Sequence, residues 1–149
     1  MSSDAKGSLY LLPNTLGETA ADAVIPAAVM ERARSLDYLI AEDPKAARAF
    51  LKRIGSTRAL QGIRVERLDH NTRASDVALL LEPVLAGRDA GLISEAGLPA
   101  VADPGANLVR LAHERGVRVV PLRGPSSILL ALCASGRAES RKEIGRAHV

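Results

Sequence analysis

The sequence predicts an α/β domain, a parallel sheet with helices on both faces, and two observations carry that prediction. Short apolar runs alternate along the chain with segments of helical periodicity, the pattern of repeated strand–helix–strand units. Of the 149 residues 47% are hydrophobic but only 2% aromatic, and much of the apolar content is Ala, Val and Leu. Such small aliphatic side chains let helices pack closely on a sheet that is covered on both faces.

Leu9–Leu12 reads as the first strand, with Pro13-Asn14-Thr15-Leu16-Gly17 as its turn. Pro26 suits the first position of a helix, where its missing N–H would have no partner, and Val29, Ala33 and Leu36 follow at helical spacing. Tyr38–Ala41 is the second strand. Ala47, Phe50, Leu51 and Ile54 fall at i, i+3, i+4 and i+7, an amphipathic helix that Gly55 ends. Ile63, Val65 and Leu68 mark a weaker third strand. Val77, Leu80, Leu81, Val84 and Leu85 share one helical face, with Pro83 expected to kink or shorten that helix and Gly87 to close it. Ala90–Ile93 is the fourth strand. Asp103 can cap the next helix with Pro104 at its first position, and Leu108, Leu111 and Ala112 face inward until Gly116. Val117–Leu122 is a fifth strand, and Gly124-Pro125-Ser126-Ser127 opens a last apolar helix to Ser135.

Composition excludes several function classes. Three aromatic residues, Tyr10, Tyr38 and Phe50, are too few for a stacking platform for single-stranded bases. A net charge of +3 is compatible with an RNA partner without requiring one. The single cysteine excludes an internal disulfide; lying in the apolar run Ile128–Ala134, Cys133 is expected to be a buried structural thiol. No apolar run reaches membrane-spanning length, which predicts a cytoplasmic chain without membrane contact, and no metal is expected.

The densest motif is Ser94-Glu95-Ala96-Gly97-Leu98-Pro99 followed by Ala102-Asp103-Pro104-Gly105, between a strand and a helix. It has neither a GxGxxG nor a Walker lysine, so the commonest nucleotide loops do not describe it. In a parallel sheet this turn, the one after Leu12 and the one after Leu122 all lie on the carboxyl edge. Each is either an ordinary capped turn or part of a ligand site; three on one rim favour a small-ligand site.

With Leu9-Tyr10-Leu11-Leu12-Pro13, Ile40-Ala41-Glu42-Asp43, His70-Asn71 and Val117-Arg118-Val119-Val120-Pro121-Leu122 in order, these blocks resemble the tetrapyrrole-methylase superfamily of S-adenosylmethionine-dependent methyltransferases. The resemblance spans residues 7–136 and is nearest to the branch that 2′-O-methylates a cytidine of 16S rRNA. It implies the N-terminal domain of a two-domain enzyme, inactive without its second half, with S-adenosylmethionine in the cleft between domains. By the same resemblance the donor would be contacted by Leu16, by Ser94, Glu95, Ala96, Gly97 and Leu98, and by Ser126, Ser127 and Ile128. The implied partners are 16S rRNA in the 30S subunit and a second copy of the chain. The sequence departs from the family in its first turn, Asn14-Thr15-Leu16-Gly17-Glu18, and at Glu42-Asp43-Pro44-Lys45 and Glu95.

A ribose hydroxyl acceptor gains from a general base, for which His70 and then Glu42 are the candidates, against a solvated loop histidine. Two other functions remain open: a methylase of the same fold acting on a tetrapyrrole or other small molecule, and a non-catalytic nucleotide-binding or interaction domain. Residues 137–143 form a junction without family character. Residues 144–149, Ile-Gly-Arg-Ala-His-Val, match a translated sequencing adapter or else a native frayed end, and the first reading places them outside the fold.

Overall fold

The computed structural model describes residues 5–14, 21–56, 62–93, 105–124 and 132–136. It forms one five-stranded sheet, every pairing parallel, in the order β3-β2-β4-β1-β5. The strands are β1 (Ser8–Leu12), β2 (Tyr38–Ala41), β3 (Arg64–Arg67), β4 (Ala90–Ile93) and β5 (Arg118–Pro121). Between them run α1 (Ala21–Val24), α2 (Ala27–Ser35), α3 (Pro44–Arg53), α4 (Ala74–Leu85) and α5 (Gly105–Glu114).

The strand order decides which helix covers which face. From β1 to β2 to β3 the chain steps towards one edge; from β3 to β4 to β5 it steps back. Parallel crossovers are right-handed, so a reversal of direction moves the connecting helix to the other face. Accordingly Val29 and Ala33 of α2 and Ala47, Phe50 and Leu51 of α3 join one core cluster with Leu12, Leu39 and Ile93. Val77, Leu81 and Val84 of α4 and Leu108 and Ala112 of α5 join the opposite one with Leu9, Tyr38, Ile40 and Leu92. The expectation of helices on both faces holds.

Local differences from the expected elements have simple causes. Pro26 is the N-cap of α2 and not its first helical residue: its extended ψ of 146° places it outside the helix, which starts at Ala27. Leu36 has left that helix but is buried as its C-cap. Ile63 and Leu68 flank β3 without belonging to it, and both are buried. Cys133 is exposed and not buried, because no described element packs over it and an apolar run is buried only where something covers it. The expected caps Asp103 and Pro104 lie outside the described residues.

Pro83 neither ends nor shortens α4, which continues to Leu85. Proline at this position leaves the carbonyl of Leu79 without its helical donor, but Leu79 is 62% exposed, so water can take the bond. The next carbonyl, Leu80, accepts a hydrogen bond from the Tyr38 hydroxyl at 2.6 Å. Burial pushes the Tyr38 pKa up from 10.0 to about 12, with Glu66 adding to the rise and Arg64 and Arg88 opposing it.

That shift has a direction in pH. Above pH 10 the unfolded chain loses the tyrosine proton while the folded chain keeps it, so stability falls as pH climbs from about 10 to about 12. The pH-dependent loss is on the order of 2–3 kcal/mol. Tyr38→Phe is expected to cost about 1 kcal/mol near neutrality by removing the hydrogen bond to the Leu80 carbonyl, and to remove this alkaline component. Urea unfolding at neutral and alkaline pH checks both; an unchanged alkaline slope in the variant would place its origin elsewhere.

Candidate functional site at the carboxyl edge

Pairing registers set four strand ends in one row. Leu12 lies opposite Ile93, Ile93 opposite Ala41, and Ala41 opposite Arg67. Pro121 of β5 pairs with Leu11, one step behind. The segments leaving β1, β4 and β5 therefore start side by side, as the sequence predicts.

β4 occupies a special place in that row. Its neighbours β1 and β2 both send their connections to the α2/α3 face, whereas β4 sends its own to the α4/α5 face. Chains that part in opposite directions leave a crevice between them, the position at which open α/β sheets bind ligands. The strand topology thus provides for such a crevice on each side of β4. The segment that leaves β4 is residues 94–104, the densest motif of the sequence, and it lies outside the described residues. Leu16, Ser94, Glu95, Ala96, Gly97, Leu98, Ser126, Ser127 and Ile128 all fall in such segments, while the strands that deliver them are described.

What is described on the β1/β5 side is close packing. Gly124 sits against Pro13 so tightly that a Cβ at Gly124 would lie 2.0 Å from the Pro13 Cβ and 2.6 Å from its Cγ. Just before it the Leu122 N–H donates to the Leu11 carbonyl at 3.1 Å, carrying the β1–β5 ladder up to the turn. Asn14 follows Pro13 and is a buried polar residue, 4% exposed. The absence of a side chain at Gly124 is what permits the two turns to approach so closely.

On the β2/β3 side the two base candidates come together. Glu42 leaves β2 directly, and His70 lies in the turn after β3; His70 Nε2 stands 3.7 Å from Glu42 Oε2. Each is placed by its neighbours. Asp43 is committed to capping α3, its carboxylate accepting from the Lys45 N–H at 3.0 Å with Pro44 at the first helical position. The Asp69 carboxylate accepts from the Asn71 N–H at 2.9 Å and the Thr72 hydroxyl at 3.3 Å, while the Asp69 N–H donates to that hydroxyl at 2.9 Å. This turn presents His70, 80% exposed, at its tip, opposite the less exposed Glu42. The sequence names the two residues but not their contact, which needs β2 and β3 to be neighbours.

Chemically, the described part of the rim combines the close approach of Gly124 to Pro13 with an imidazole–carboxylate pair at the ends of β2 and β3. Among the described residues there is no group of three or more His, Cys, Asp or Glu that could hold a metal, and no helix is long and apolar enough to cross a membrane.

No family model matches the chain. Curated relatives do match it. The protein of Escherichia coli O157:H7 named "Ribosomal RNA small subunit methyltransferase I" is 33% identical over 138 residues, 93% of this chain and 46% of the relative. Its namesake from Haemophilus influenzae is 34% identical over 138 residues, with the same two shares. That of Mesorhizobium japonicum is 36% identical over 129 residues, 87% of this chain and 41% of the relative. The chain spans less than half the length of the relatives it matches.

Proposed function

We propose that this chain, which belongs to the ribosomal RNA small subunit methyltransferase I family, is the N-terminal domain of an S-adenosylmethionine-dependent enzyme that methylates a cytidine ribose 2′-hydroxyl of 16S rRNA. The similarity over 93% of the chain carries the reading. The double crevice at β4 and the close approach of Gly124 to Pro13 fit a donor site on the rim.

The donor, when bound, supplies an electrophilic methyl group on a sulfonium. The turns after β1, β4 and β5 would hold it by backbone N–H and C=O groups, with Leu16, Leu98 and Ile128 as apolar walls. Methyl transfer is an in-line displacement, and holding the acceptor oxygen in line contributes on the order of 7–11 kcal/mol. In this reading His70 would accept the hydroxyl proton at Nδ1, with its Nε2 turned towards the Glu42 carboxylate. The 3.7 Å separation exceeds a hydrogen bond, as contacts of this kind often do before substrate tightens them.

Calorimetric titration of S-adenosylmethionine into the complete protein tests the reading. Saturable binding that is lost on substituting Glu95 or Ser127 is expected, followed by methyl transfer to 30S subunits. A folded protein that binds no donor overturns it and leaves an interaction domain. Donor binding without transfer to 30S subunits redirects the acceptor to a small molecule.

A further inference from the structure

We infer that the outer face of α3 is a docking surface for the phosphate backbone of an RNA strand whose target nucleotide lies on the rim, an inference that rests on the proposed function. Lys45, Arg48 and Lys52 fall at i, i+3 and i+7, so they form one stripe along α3 opposite its buried residues Ala47, Phe50 and Leu51. All three are exposed, and none forms an ion pair with any described residue. Along the helix they span roughly 10 Å.

Helix stability does not account for this stripe. α3 has no acidic residue in its first turn and carries Lys45 there, against the helix dipole, an arrangement unfavourable by about 0.3–1 kcal/mol. Lys45 with Arg48 and Arg48 with Lys52 are like-charged neighbours, each pair unfavourable by about 0.2–0.5 kcal/mol. Lys52 alone, in the last turn, suits the dipole.

The stripe belongs to a one-sided charge distribution. α2 and α3 carry Arg32, Arg34, Lys45, Arg48, Lys52 and Arg53 against Glu31 alone. On the opposite face α4 and α5 carry Arg110 and His113 against Asp76, Glu82 and Glu114. The chain's modest net charge of +3 hides this asymmetry. Near the rim, by contrast, Arg67 pairs with Asp69 at 3.8 Å and Arg73 with Asp76 at 3.2 Å, so their charges are already matched.

Position ties the stripe to the rim. Lys45 starts it at the carboxyl edge, three residues after Glu42, and Lys52 ends it towards the amino edge. A strand presenting a ribose hydroxyl to the Glu42–His70 pair could continue along α3, its phosphates meeting the three cations. With so few aromatic side chains, this contact reads backbone and not base, and it positions the strand without specifying its sequence.

The test is the salt dependence of binding of a short single-stranded RNA to the complete protein, followed by fluorescence anisotropy. In the triple variant Lys45→Ala, Arg48→Ala, Lys52→Ala the slope of log K on log salt is expected to fall in magnitude by about 2, three contacts at roughly 0.7 each. Purine and pyrimidine strands should be affected alike. Alanine is the better helix former and relieves the like-charge contacts, so the variant should melt no lower than the parent. Arg110→Ala on the other face should leave the slope unchanged. An unchanged slope in the triple variant, or an equal fall in Arg110→Ala, overturns the surface. Donor titration of the same proteins separates the two readings: a fallen slope without donor binding removes the methyltransferase and keeps the surface, and the converse keeps only the enzyme.

Discussion

Gly124→Ala in the complete enzyme is expected to lower methyl transfer by about 10²-fold. A Cβ there would sit 2.0 Å from the Pro13 Cβ, where ordinary contact begins at 3.4 Å, so one of the two turns must move by more than 1 Å. Pro13 cannot yield by rotation, because its ring is closed on its own backbone. Nor can the strands slide apart easily, since the Leu122 N–H to Leu11 carbonyl bond holds the ladder immediately behind. The displacement therefore falls on the turns after β1 and β5, to which Leu16 and Ser126, Ser127 and Ile128 belong in the proposed donor site. Misplacement on the order of 1 Å near a reacting group can cost about 10²-fold, and overpacking of this kind costs about 1–3 kcal/mol of stability. Gly62→Ala is the matched control, because nothing lies within 4 Å of a Cβ there. Steady-state rates and thermal melts of both variants decide the matter. If Gly124→Ala behaves like Gly62→Ala, the two turns have slack and do not shape the donor site.

The fold is legible in this sequence where one physical signal dominates. β2 and β4 are apolar runs whose every residue is buried, and both have the limits that the sequence predicts. The edge strand β3 is harder, because Arg64–Arg67 alternates little and its buried residues Ile63 and Leu68 lie just outside it. Pro83 misleads for a local reason: its penalty depends on what happens to the Leu79 carbonyl, and Leu79 is an exposed residue. Strand order is not legible, since alternation of strands and helices specifies direction but not neighbours. For that reason the double crevice at β4 and the contact of Glu42 with His70 emerge only in three dimensions. The charge asymmetry of the two faces is likewise hidden until the crossover reversal assigns α2 and α3 to one side.

His70→Ala in the complete enzyme is expected to lower kcat by about 10²–10⁴-fold while leaving donor affinity unchanged, the range over which a general base contributes. His70 reaches the rim on a turn braced by the Asp69–Asn71 and Asp69–Thr72 hydrogen bonds, and its Nε2 stands 3.7 Å from Glu42 Oε2. A carboxylate in that position would orient the ring, and so act through His70 and not on the acceptor itself. Glu42→Gln keeps the size of the side chain and removes its charge, and should lower kcat by a smaller factor than His70→Ala. The double variant should fall no further than His70→Ala alone, because residues that act as a unit are not additive. Single-turnover rates of the four proteins on 30S subunits, beside calorimetric donor affinities, measure all of this. A His70→Ala rate within a few-fold of the parent returns His70 to the solvated surface and leaves the base to another residue of the complete enzyme. Equal and additive losses from the two substitutions would mean that Glu42 contacts the substrate in its own right, which its position beside the β4 crevice permits.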